Sequence, residues 1–202
     1  PARRAATLLA MSAAVVLAAC TTPRVTTYHS LAEPPASPAS APAADARTEP
    51  QVPGTAPILL YDFALVAVPP QVNVPQFVVR NPDDTLTLLE QQRWAAPLGD
   101  EIRSAIAERL ARRFKAQVPG QNLPGQRTAE RLQVDVRRFE SLPGREVRLE
   151  AAWSVRTLSE PLLGVRCDSE IRQSVGPGFE ALAAGHRAAV QLLADDIGRV
   201  MR

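Results

Sequence analysis

The chain has 202 residues, with 23 Lys and Arg against 21 Asp and Glu, and 46% of its residues are hydrophobic. That is enough apolar material for one packed domain, and it offers no cationic excess of the kind a nucleic-acid surface needs. Two cysteines and two histidines are too few for a disulfide framework or for a zinc cluster of thiols and imidazoles, so neither a metal nor a resident cofactor is expected.

In chain order, Arg3 and Arg4 give a positive start, and Ala5 to Ala19 is an apolar run without a charge. At about 15 residues the run falls short of the roughly 20 that a membrane-spanning helix requires, so residues 1–19 read as a signal peptide. Leu17-Ala18-Ala19-Cys20 closes it and matches a lipobox, at which bacteria attach diacylglycerol to the thiol, cleave before the cysteine and acylate the new amino terminus. Each buried methylene contributes about 0.8 kcal/mol, so a triply acylated Cys20 would be a lasting membrane attachment. Thr21 stands where an aspartate would favour inner-membrane retention, which points to the outer membrane, facing the periplasm. The signal takes two of the 23 basic residues and none of the 21 acids, so 21 face 21 in the remainder.

Residues 20–31 form a lipidated N-terminus with a first short extended piece. Residues 32–57 hold seven prolines and eight alanines, with no aromatic residue and Val52 as the only large aliphatic one. Such a stretch cannot bury enough apolar surface to offset its ordering entropy, so it is a disordered linker or insertion. The folded domain is then 58–202. Ile58 to Val68 predicts a strand stopped by Pro69-Pro70, followed by extended pieces at Gln76–Arg80 and Leu86–Leu89 around the turn former Asn81-Pro82-Asp83-Asp84. From Leu98 the period becomes helical. Leu98, Ile102, Ile106, Leu110 and Phe114 share one face, with acids in the first turn and Arg112, Arg113 and Lys115 in the last, before Pro119-Gly120.

Leu132–Glu140 alternates, and Arg145–Leu158 does so cleanly: Val147, Leu149, Ala151, Trp153 and Val155 point one way, charged and polar residues the other. A turn at Ser159 to Leu162 leads to Gly164–Val175, where Val165, Cys167 and Ile171 oppose Arg166, Asp168, Glu170 and Arg172. These two strands predict an antiparallel hairpin with one buried and one charged face. Gly176-Pro177-Gly178 launches a last helix with Phe179, Leu182, Ala189, Val190, Leu193, Ile197 and Val200 toward the core. Strands with one buried face and two amphipathic helices predict an α+β two-layer sandwich, mainly antiparallel, with both helices on one face.

The stretch Val72-Asn73-Val74-Pro75-Gln76-Phe77-Val78-Val79-Arg80, followed by Gln92-Arg93-Trp94-Ala95-Ala96-Pro97-Leu98, is similar to the central signature of the PqiC/YmbA lipoproteins, auxiliary components of ABC-type and MCE-type lipid transport systems. Val74 stands for the usual arginine before Pro-Gln, and Gln92 and Ala96 for the usual histidine and glutamate around Arg93-Trp94. The resemblance implies a non-enzymatic lipoprotein on the outer membrane that receives the far end of a conduit formed by an MCE protein, with a ring of subunits among its expected assemblies. It also implies that Tyr28 to Leu31 belongs to the folded body, which would make the proline-rich segment an excursion within the fold. A structural lipoprotein of another envelope or secretion assembly is the alternative.

A proline before an extended piece denies a ladder hydrogen bond and places Val74–Val79 at a sheet edge, where strands of partners are recruited. Val74, Pro75, Gln76, Phe77, Val78, Arg80, Arg93 and Trp94 are therefore the candidate partner or subunit contacts; a buried edge strand and a core tryptophan are the competing readings. Cys167 reads as a buried inert thiol and His186 as a satisfied boundary histidine. Arg109, Arg112 and Arg113 read as a solvated helix end. The sequence carries no Gly-x-Ser-x-Gly elbow and no Gly-rich phosphate loop, and adjacent helical Asp195 and Asp196 diverge by about 100°, so no catalytic site is expected.

Overall fold

A computed structural model of the chain describes residues 25–33, 59–117, 130–159 and 164–201. The signal segment, Cys20, residues 34–57, Ile58, Pro119-Gly120 and the centre of the turn before Gly164 lie outside them. Eight strands are described: β1 (Thr27–His29), β2 (Leu59–Phe63), β3 (Gln76–Arg80), β4 (Leu86–Trp94), β5 (Ala116–Gln117), β6 (Glu130–Leu142), β7 (Glu146–Thr157) and β8 (Gly164–Ser174). Two helices join them: α1 (Leu98–Phe114) follows β4, and α2 (Phe179–Val200) follows β8.

The fold is α+β, as the alternation of periods predicts, but its strands divide into two sheets. The larger has the order β5-β2-β6-β7-β8, the smaller β1-β4-β3. Both are mixed: β1 runs parallel to β4, and β2 runs parallel to both β5 and β6, while β3–β4 and the long β6–β7–β8 meander are antiparallel. The parallel pairings join residues far apart in sequence, Thr27 with Gln92 and Leu59 with Ala116, so local alternation carries no trace of them. The strand expected over 58–68 is shorter: it ends at Phe63, and only an isolated bridge from Ala67 to Asp135 follows.

The inner face of the large sheet is apolar because alternate residues of β6 and β7 are apolar. Leu132, Val134, Val136, Val147, Leu149, Ala151, Trp153 and Val155 are all buried, and Leu182, Ala189, Val190, Leu193 and Ile197 of α2 are buried in the same core. Each large aliphatic side chain buried here stabilises the fold by about 1.5–3 kcal/mol relative to exposure. The hairpin β7–β8 is present, but β8 is an edge strand and only part of it is covered. Ile171 is buried; Val165 is 45% exposed and Cys167 is only half-buried, contrary to the expected continuous apolar face. Phe179 at the start of α2 is likewise 37% exposed.

The helices are joined by charge as well as by packing. Asp195 of α2 accepts two bonds from Arg109 of α1, at 2.8 and 3.0 Å, and a third from Arg113 at 3.0 Å. The Arg109 guanidinium, with Arg113 and Arg199, holds the Asp195 carboxyl below the usual carboxylate range. Arg112 pairs with Glu33 and Glu108. The basic end of α1 is solvated at Arg112 and Arg113, as expected, but it also forms an ionic clamp in which only Arg109 is largely covered. Asp196 turns away to the sheet, accepting from Ser169 at 3.2 Å. At Gly198 a Cβ would run into the Phe114 ring, so glycine sets how closely the helices approach.

Candidate partner-binding groove

The small sheet positions most of the candidate residues. β3 begins after Pro75, whose carbonyl accepts the Trp94 amide at 2.8 Å, and the hairpin turn from Asn81 to Thr85 places Asp84 in the left-handed region at φ 69°. Pairing runs from Arg80↔Leu86 to Phe77↔Leu89, then jumps so that Gln76 meets Arg93. The intervening Glu90-Gln91-Gln92 bulges outward, and such bulges re-aim the residues that follow. β4 therefore extends through Trp94 instead of ending at Leu89, so Arg93-Trp94 closes a strand just before α1.

Trp94 is core. It is 4% exposed, stacks on Phe77 with ring centroids 4.1 Å apart, and lies edge-on to Phe139 and His186 at 5.9 and 6.0 Å. Phe77, Val78 and Val79 are buried too, so β3 is a buried edge strand within this single chain. Arg80 reaches across to the large sheet, with Nη2 2.7 Å from Glu140, and also pairs with Asp84. Gln76 donates to Glu90 at 3.2 Å, and Arg93 donates to the Glu90 carbonyl at 3.1 Å.

His186 lies deeper than a boundary residue. It is fully buried and stacked on Phe139 at 4.0 Å; Nε2 is 2.8 Å from Ser141 Oγ, while Nδ1 has no partner among the described residues. Burial pushes its pKa down to about 3. A serine and a histidine thus share a hydrogen bond, but both are sealed from solvent, at 3% and 0% exposure.

Beside this core lies an apolar groove of about 440 Å³, lined by Tyr28, Val74, Pro75, Arg93, Pro97 and Leu98 together with the edge of Trp94. It gathers four of the eight candidate residues, Val74, Pro75, Arg93 and Trp94, whereas Gln76, Phe77, Val78 and Arg80 do not line it. Register explains the addition of Tyr28: β1 sets it directly beside Arg93, and it remains 63% exposed on the rim. Neither composition nor period singles out Tyr28; only a three-residue parallel pairing does. Val74 and Ala96, two of the positions that depart from the resembled signature, both line this groove. Where arginine and glutamate would bring opposite charges to it, this chain has two apolar side chains. The third departure, Gln92, accepts through Oε1 from His29 Nε2, 2.7 Å away.

The segment after β1 is fastened across both helices. Glu101, buried in the first turn of α1, accepts from the Leu31 amide at 2.7 Å and from Ser30 Oγ at 2.8 Å. Arg187 of α2 donates to the carbonyls of Ser30 and Ala32 at 2.9 and 3.0 Å, and Leu31 is 1% exposed. Glu33 and Leu59 both belong to the body, so the proline-rich stretch between them begins and ends on the folded domain. Among the described residues no group of three or more His, Cys, Asp or Glu comes together, and no helix is long and apolar enough to cross a membrane.

The pattern that defines the ABC-type transport auxiliary lipoprotein components matches residues 38–198. The chain belongs to this family, that of PqiC and YmbA. Among solved structures, an uncharacterised protein is similar at a TM-score of 0.62 and 17% identity, over 71% of this chain and 92% of its own. A protein from Xanthomonas campestris of the DUF330 family is similar at 0.56 and 17%, over 68% and 80%. At such identities the likeness is one of fold. No curated protein sequence matches the chain. As an ABC-type transport auxiliary lipoprotein component, the protein serves a transport system.

Proposed function

We propose that this auxiliary lipoprotein is a non-catalytic docking subunit of an MCE-type intermembrane lipid transport system, held on the outer membrane by lipid on Cys20 and facing the periplasm. Its groove between Tyr28, Val74, Pro75, Arg93 and Pro97 receives the MCE protein or an adjacent copy in a ring. One observation carries this reading: an apolar groove, open to solvent, beside the strand that directly follows the lipid site. Soluble surfaces seldom leave such a patch uncovered without a partner. Thr21 to Thr27 can span at most about 25 Å, so the groove would lie close to the membrane that holds the lipid.

Co-purification of the detergent-solubilised lipoprotein with the MCE protein encoded beside it tests the proposal. Association that Tyr28→Ala with Arg93→Glu abolishes, in a variant that melts as the parent does, supports it. No association, with normal envelope permeability in a deletion strain, overturns the transport partnership; association unaffected by the double variant moves the contact away from the groove.

A further inference from the structure

The outer face of the large sheet, turned away from both helices, carries a ladder of opposite charges in which one end breaks the rule. Along most of the face each arginine has an acid: Arg148 pairs with Glu146 and Glu140, Arg138 with Glu150, Arg172 with Glu170, and Arg137 with Asp168. At the end where β6 begins and β7 finishes, register sets Arg131 directly opposite Arg156. Like charges in that position destabilise a sheet. One row further, Ser154 stands between Gln133 of β6 and Arg166 of β8. Arg131 is paired with Asp62, but among the described residues Arg156 and Arg166 enter no ion pair.

Two adjoining depressions, of about 100 and 260 Å³, share Gln133, Ser154 and Arg156, and the first also takes in Arg166 and Asp135. Gly164 adds a second sign of fit. A Cβ there would lie 2.9 Å from Arg156 Cγ, so glycine leaves room for the arginine stem to lie across β8. Two guanidinium forks, a hydroxyl and a carboxamide within neighbouring rows are the donor set for a tetrahedral oxyanion. Asp135 is the one carboxylate in the first depression, and it limits the anion to the side where the two arginines stand.

We propose that Arg156 and Arg166, with Ser154 and Gln133, form a phosphate-group site, for a phospholipid headgroup or for free phosphate. It is independent of the groove: Arg131 lies nine residues along β6 from Glu140, where the small sheet attaches, about 30 Å away at the rise of an extended strand. An anion held between the rows of Arg156 and Arg166 would offset the repulsion that Arg156 meets from Arg131 across the ladder.

Inorganic phosphate titrated into the full chain in detergent at low ionic strength, followed through the backbone amide resonances of Ser154 and Arg166, tests the site. Saturable shifts are expected, weakened about tenfold by Arg156→Ala or Arg166→Ala, partly restored by Arg156→Lys and strengthened by Asp135→Asn. Arg156→Ala should leave the melting temperature unchanged or raised, since it removes a like-charge pair. A second arm compares wild type with the double alanine variant on phosphatidylglycerol vesicles. Loss of binding by the variant assigns the headgroup as the source, and phosphate binding without a vesicle difference assigns the free ion; either supports phosphate chemistry. No saturable shift, an unchanged affinity in both alanine variants, a lowered melting temperature as the sole effect of Arg156→Ala, or equal binding of poly-L-glutamate would overturn it.

Discussion

The two sheets solve different problems with similar residues. The large sheet is long and packed against the helices, and the inner side chains of β6 and β7 are nearly all buried; the small sheet is short and bulged and leaves Tyr28, Leu86 and Leu88 exposed. Packing is concentrated in the first, while the second contributes the aromatic pair Phe77 and Trp94 that fastens it to Phe139 and His186. Stability and recognition are thus separated in space, and a surface built on the small sheet can change, as Val74 and Ala96 have, without disturbing the core.

That division can be broken at graded cost. Leu149→Ala, in the centre of β7, should destabilise by about 2–5 kcal/mol in urea denaturation, because both the transfer term and the cavity fall on the sheet that holds the fold. Acid should act next through the junction between the sheets. His186 is neutral in the folded chain down to about pH 3 but takes a proton near 6.5 when unfolded, so the unfolded state binds more protons between those values. Stability contributed by the neutral ring is present above pH 6.5 and falls as pH drops toward 3, by up to about 1.4 kcal/mol per unit. Melting temperatures across that range should lose part of their slope in His186→Gln; an unchanged slope would assign it to other groups. Asp195→Asn, which weakens the clamp between the helices, should cost about 2 kcal/mol by the same denaturation measurement, below the value for a fully buried pair because Arg109 keeps 24% exposure. On the groove side, Tyr28→Ala and Arg93→Ala should shift stability by less than about 0.5 kcal/mol while weakening partner capture, the smallest thermal effect and the sharpest separation of the two regions.

The same contrast decides what could be read from sequence. Strict alternation in β7 and four-residue spacing in α1 are local signals, and their elements and buried faces follow from them. Val165 obeys the same alternation yet is exposed, because burial of a strand's apolar face depends on whether a helix reaches that far along it. Trp94 fell outside the extended piece read over Leu86–Leu89 because Glu90-Gln91-Gln92 gives no apolar pattern, although it is a bulge that lets the strand continue. Arg113 is solvated as expected, but the clamp it shares with Arg109 was hidden because their acid, Asp195, lies on another helix more than 80 residues away. The groove became visible only through Tyr28, whose pairing with Arg93 joins the first described strand to the fourth.

The strap that follows β1 also sets an order of assembly. Its carbonyls at Ser30 and Ala32 are held by Arg187, 157 and 155 residues further along, so the strap can be seated only once α2 is present. Loop closure over that separation comes late, after local hairpins have formed. Until α2 has docked, the strap lacks the two Arg187 bonds that seat its carbonyls.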